Sequence, residues 1–373
     1  MRLIKTLLST SLLVGLNNVV SGQDYDEAAI LMKVFEGTKG YRWKNKEGWA
    51  QANSVCDWYG VTCYGDNDPA EQRNRVAKLD LSENKLVGNL PQEIFQLKYM
   101  YSIVLRDNPD LVVTVKQIGD AVNLKHLTLS NTKISSLDRL SDAKNTLTRL
   151  QLTDCELGGK IPSEIYQLTK LVALLANYND FTGQISPDIG NLSRLQELFL
   201  YENRLTGNIP SQVGRLTDLK IIAMANNAFS GNLPSEMNNL VNLQVLAIQR
   251  EDGDIHGPGI NGPLLDFDRM KSLKEVYLQN QRIEGSISYD FLKSAPRDEA
   301  MTVDLRNNRL SGHVPGSLDR HSNMKLYLSG DKFDSMSTSL CDNTKWMSGD
   351  VKEHGCNDLL ILYSNGSKLY NNT

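Results

Sequence analysis

The sequence predicts an α/β solenoid of about eleven repeats, each near 24 residues long, with a parallel β-sheet lining a concave face and disulfide-bearing caps at both ends. Three observations carry this. An apolar anchor recurs at Leu79, Ile103, Leu127, Leu150, Leu174, Leu198, Ile222, Leu246, Val276, Val303 and Leu326, with spacings of 24, 24, 23, 24, 24, 24, 24, 30, 27 and 23 residues. Each anchor opens an apolar-x-apolar pattern, the two-residue period of a strand with one buried face. A turn residue follows, and six repeats place asparagine there: Asn84, Asn108, Asn179, Asn203, Asn227 and Asn308.

The stretch Leu195 to Asp218 shows what each position does. Leu198 and Leu200 point into the core, while Glu197, Phe199, Tyr201 and Glu202 point out. The Asn203 amide carries both donors and an acceptor, so it turns the chain and satisfies buried backbone groups. Leu205, Ile209 and Leu216 fill the core behind, and Gly207 permits a close approach of backbone. The eighth repeat is lengthened by Glu251 to Gly259, and insertions in solenoids map to loops on one face, often the binding face. Tyr289 to Glu299 lengthens the next repeat, where a short helix is expected.

Residues 1–22 carry Arg2 and Lys5, an apolar run from Leu7 to Leu16 and small residues after it, the pattern of a cleaved signal peptide. Without them the chain has 38 Lys plus Arg against 44 Asp plus Glu, and this acidic balance excludes nucleic acid as a partner. Later apolar runs are too short to cross a bilayer. Asp24 to Thr38 predicts an amphipathic helix ending near Gly37 and Gly40. Trp43, Trp49 and Trp58 cluster before the first repeat, placed to plug the end of the solenoid core, with ligand binding as the alternative. An exported chain with five cysteines predicts disulfides. Position pairs Cys56 with Cys63 and Cys341 with Cys356, leaving Cys155 as a free thiol in the slot that Asn203 fills in its own repeat.

Trp49, the run Cys56-Asp57-Trp58-Tyr59-Gly60-Val61-Thr62-Cys63 and the repeat after it resemble the N-terminal cap of plant-type leucine-rich repeat proteins. Residues 25–338 share the likeness. It implies a second short strand per repeat and a twisted superhelix, marked by Leu-x-Gly-x-Ile-Pro. That segment stands intact at Leu157 to Pro162 and Leu205 to Pro210, and with conservative changes at Leu86 to Pro91, Phe229 to Pro234 and Leu310 to Pro315. Ile134 to Leu137 and the stretch after Leu111 lack it, so the second sheet is expected to break there. The organisation expected is a signal peptide (1–22), an N-terminal cap (23–75), repeats (76–338) and a C-terminal cap with a polar tail (339–373).

Catalytic chemistry has no foothold. Glu251, Asp252, Asp254 and His256 match no metal-loop spacing. Gly257-x-Gly259-x-x-Gly262 lacks the helix that would cradle a pyrophosphate. The five histidines are scattered, and no cofactor is expected. Asn191, Asn365 and Asn371 are glycosylation acceptors. The outward track becomes apolar at its middle, through Leu175, Phe199, Ala223, Ala247 and Tyr277. Tyr178 and Tyr201 flank it, and Glu197, Glu202, Arg250 and Glu275 form a charged rim. Aromatic anchors inside a charged rim point to recognition of an extracellular protein, peptide or polysaccharide, with a membrane co-receptor as a further partner implied by the resemblance. The other class open is a glycosylated structural or adhesive scaffold of the wall or matrix. The chain also reads as the ectodomain of a longer receptor.

Overall fold

A computed structural model describes residues 22–51, 54–251, 257–337 and 339–340, with side chains from Glu27 onward. The signal peptide, Cys341, Cys356, Asn365 and Asn371 lie outside the described residues. The chain forms two compact units, Met1–Leu157 with Pro162–Leu171, and Gly158–Ile161 with Val172–Thr373.

The first unit opens with helix α1 (Gly22–Gly37). Its Glu27 is buried, accepts from the Val76 N–H at 3.1 Å and pairs with Arg75 at 3.1 Å, which ties the helix to the first repeat. The tryptophans fill the cap. Trp43, Trp49 and Trp58 are all buried, and ring centroids lie 4.8 Å apart for Trp43–Trp49 and 4.9 Å for Trp49–Trp58. Two of the indole N–H groups have carbonyl acceptors: Trp43 donates to Thr38 at 3.1 Å and Trp49 to Tyr59 at 2.9 Å. A Cys56–Cys63 disulfide closes the cap, and Cys155 is buried, outside any disulfide among the described residues, its thiol donating to the Leu129 carbonyl at 3.2 Å.

Val61–Cys63 pairs antiparallel with Val76–Asp80, and the strands Ser102–Val104, His126–Thr128 and Arg149–Gln151 continue that sheet in parallel. The register sets Leu79, Ile103, Leu127 and Leu150 side by side, all fully buried. A second sheet of three strands, Val87–Asn89, Asp110–Thr114 and Lys133–Ser136, lies behind. The break expected after Leu111 and at Ile134 to Leu137 is corrected in part: strands form at both places, and the interruption comes just after Lys133–Ser136, since Gly158–Gly159 belongs to a separate sheet. A parallel ladder needs extended backbone in register rather than the Gly-x-Ile-Pro letters. Leu111 and Val113 supply the inward alternation, and the Ser135 hydroxyl donates to the Val113 carbonyl at 3.0 Å.

The second unit repeats the plan. Seven parallel strands, Ala173–Leu175, Glu197–Phe199, Ile221–Ala223, Val245–Ala247, Glu275–Tyr277, Met301–Asp304 and Met324–Tyr327, put Leu174, Leu198, Ile222, Leu246, Val276, Val303 and Leu326 in one buried row. An eight-stranded second sheet runs from Gly158–Gly159 to Lys332–Met336. Gly207, at φ +72, bends the chain from this sheet towards Ile209, and a Cβ there would stand 2.6 Å from the Gln184 side chain. Short 3-10 turns complete the outer side. Tyr289 to Glu299 holds turns and no helix, a second correction, since Pro296 and a four-residue apolar-poor run leave nothing to propagate one.

Candidate functional site

Every expected face residue lies in the second unit: Leu175, Glu197, Phe199 and Tyr277 on strands only three residues long, and Tyr178, Tyr201, Glu202 and Arg250 just after them. Three residues are enough because two geometric devices end each strand. The first is the buried asparagine. Asn203 donates to the carbonyls of Ala176 and Leu200, both at 3.0 Å, and accepts from the Phe181 N–H at 3.1 Å, bonding two repeats at once. Asn227 repeats this with Leu200 and Met224 at 2.9 and 3.1 Å. The second is a left-handed residue just before the asparagine: Tyr178, Glu202, Asn226, Asn280 and Asn307 all have φ between 53° and 60°. Asparagine visits this region readily, tyrosine rarely.

Tyr178 is thereby turned outward and is 52% exposed. Its ring meets Tyr201 edge-on at 5.1 Å, and Tyr201 meets Phe199 at 6.4 Å. Leu175, Phe199, Tyr201 and Tyr277 are half-buried on the same face. Burial pushes the Tyr201 phenol above its ordinary range, and Tyr178 and the Glu202 charge add to it, while a hydrogen bond from Asn177 opposes. Tyr277 is raised likewise, by burial first and then by Glu275. Both hydroxyls stay protonated at neutral pH, and that of Tyr277 is already hydrogen-bonded to Glu275. Ala223 and Ala247 extend the apolar floor across the next two strands.

Arg250 departs from the expected rim. It is only 9% exposed, and its guanidinium donates to the carbonyls of Asn280 at 2.9 Å and Gly257 at 3.2 Å. The insertion explains this. The eighth repeat carries Glu251 where others carry asparagine, so Arg250 and Gln281 take over the backbone bonding, with Gln281 donating to the Ile248 carbonyl at 2.8 Å. Sequence reasoning also missed a polar ladder beside the aromatic track. Asn226 donates to Glu202 at 2.5 Å and accepts from the Glu251 N–H at 2.9 Å, while Asn307 donates to Asn280 at 2.7 Å and Asn280 to the Arg250 carbonyl at 2.6 Å. The position directly before the consensus asparagine was its visible signal.

Residues 106–286 match the family model of a leucine-rich repeat region. Those residues form a leucine-rich repeat region, and the strands on either side of it continue the same repeat fold. No curated protein matches this leucine-rich repeat chain in sequence. Among solved structures it is similar to the ectodomain of the Arabidopsis receptor kinase HAESA in complex with an N-terminally extended IDA peptide hormone, at 24% identity and a TM-score of 0.62 over 84% of this chain and 54% of that one. It is also similar to a plant ice-binding protein, at 21% identity and a TM-score of 0.58 over 84% and 87% of the two chains. The PEPR1–AtPEP1 complex aligns at 19% identity and a TM-score of 0.57, over 87% of this chain and 54% of that one. The chain thus spans about half the length of the HAESA and PEPR1 chains. One fold serves proteins as different as these, so the choice of ligand rests on side chains.

Among the described residues no group of three or more His, Cys, Asp or Glu could hold a metal ion, and no helix is long and apolar enough to cross a membrane.

Proposed function

We propose that the chain is an extracellular, non-catalytic recognition module that binds a peptide or protein segment along the outer face of the second unit's principal sheet. The observation that carries this reading is the aromatic track of Phe199, Tyr201 and Tyr178, set beside an apolar floor and bordered by Glu197, Glu202 and Glu275. Rigid amphipathic rings with protonated hydroxyls offer contact area at little entropic cost, which is how binding hot spots are built. The carboxylates favour a ligand with basic groups among its apolar side chains. The hormone complexes of similar fold support a peptide as the ligand class. The Cys56–Cys63 bridge supports export, since such bonds persist in oxidising compartments. Asn191, exposed on the outer 3-10 turn Pro187–Asn191, is the proposed glycan carrier, away from the face.

The test is affinity capture from extracellular fluid with the secreted protein, then the same capture with Phe199→Ala/Tyr201→Ala. A specific partner lost by the double variant and weakened by added salt supports the reading. Equal recovery with both proteins assigns the chain to a scaffold role.

A further inference from the structure

The first unit holds a cavity of about 880 Å³ on the flank where the cap meets the first two repeats, remote in sequence from the aromatic track. Its volume falls within the range of about 300 to 1,000 Å³ of small-ligand sites. Arg42, Lys44 and Lys85 line it together with Glu83, Asp107 and Asp110.

Its walls are braced by backbone. The Lys44 N–H donates to the Asn84 carbonyl at 3.1 Å, the Asn45 N–H to the Asn84 side-chain oxygen at 2.6 Å, and the Val87 N–H to the Thr38 carbonyl at 3.1 Å.

Charge accounting then separates the two signs. Each carboxylate has a cation: Arg106 lies 2.8 Å from Asp107 and 3.5 Å from Glu83, and Lys133 lies 3.3 Å from Asp110. The cavity's own cations have none. Arg42, Lys44 and Lys85 are exposed and form no ion pair among the described residues, although the whole chain carries a net charge of −4. Because Arg106 is shared by two carboxylates, Arg42, Lys44, Lys85, Arg106 and Lys133 exceed Glu83, Asp107 and Asp110 by two charges, and that excess calls for an anion. The neutralised carboxylates retain lone pairs, which call for hydroxyl donors beside it.

We propose that this cavity binds an acidic oligosaccharide, a sugar chain whose carboxylates meet Arg42, Lys44 and Lys85 while its hydroxyls donate to Glu83, Asp107 and Asp110. A uronate sugar carries both kinds of group on one ring. A phosphate polyanion brings charge without hydroxyl donors and faces three carboxylates.

Isothermal titration calorimetry on the secreted protein decides, using a short oligogalacturonate, a neutral cello-oligosaccharide of equal length and a short polyphosphate. The expected result is binding of the oligogalacturonate alone, weakening with salt, and reduced about hundredfold in Arg42→Gln/Lys44→Gln/Lys85→Gln. The exposed position of all three residues predicts an unchanged melting temperature. Lys85→Gln alone, reducing affinity about tenfold, serves if the triple variant misfolds. Lys98→Gln, outside the cavity, retains full affinity. Absence of oligogalacturonate binding, equal binding of the neutral sugar or of polyphosphate, or a triple variant that binds like the parent would each overturn the assignment.

Discussion

Asp331 stands where Asn203 and Asn227 stand in their repeats, and the exchange of an amide for a carboxyl changes what that slot tolerates. One oxygen accepts from the Leu310 N–H at 2.9 Å, while the other is buried without a partner among the described residues. Burial, reinforced by the Asp304 charge, pushes the carboxyl up to about 7, against the opposing N–H bonds of Leu310 and Asn308. An unfolded aspartate titrates near pH 4, so the folded chain holds the proton more tightly. The stability this brings is complete below about pH 4 and is lost as pH rises through about 7. Asp331→Asn supplies the missing donors, so it should stabilise by about 2 to 4 kcal/mol at pH 8 and by little at pH 4. Melting curves at the two pH values check this, and an equal gain at both rejects it. In the opposite direction, Asn203→Ala leaves the buried Phe181 N–H without its acceptor and removes one of two amide donors from each of the Ala176 and Leu200 carbonyls, which keep Asn179 and Asn227. The expected loss is about 1 to 3 kcal/mol by urea denaturation.

At the scale of elements, all eleven anchors lie on strands and all are buried, because a period of two against a fixed spacing leaves one register that hides every leucine. The cap was legible for a related reason, since three tryptophans beside a solenoid end have one place to go. The strands after Leu111 and at Lys133–Ser136 were not legible, because ladder bonding is a backbone property and their letters lack the usual glycine. Arg250 misled because its charge was visible and its acceptors, the carbonyls of Asn280 and Gly257, were not. The flank cavity was hidden too, because it joins Arg42 and Lys44 of the cap to Asp107 and Asp110 two turns of solenoid later. The cap disulfide closes a loop with a sequence separation of 7. Loop-closure entropy makes it worth about 2 to 3 kcal/mol. Cys56→Ser/Cys63→Ser should therefore lower the denaturation midpoint and expose the cap first, read as an early red shift of tryptophan fluorescence. Coincident fluorescence and circular-dichroism transitions would count against an independently loosened cap.

For the whole molecule, stability is a sum over neighbouring repeats, and the proposed recognition face draws on a different set of residues from that sum. Phe199→Ala/Tyr201→Ala should consequently abolish partner capture while changing stability by no more than about 1 kcal/mol, since both rings are half-buried beside a core row of Leu198 and Leu200 that stays intact. A large drop in the melting temperature would instead make the track part of the packing. The left-handed corner before each asparagine has a consequence for descent. It fixes the backbone course independently of the letters between Leu198 and Leu200, so successive generations can respell the outward positions one codon at a time, each intermediate still folded. A lineage carrying this chain can change what its outer face presents without rebuilding what holds it together.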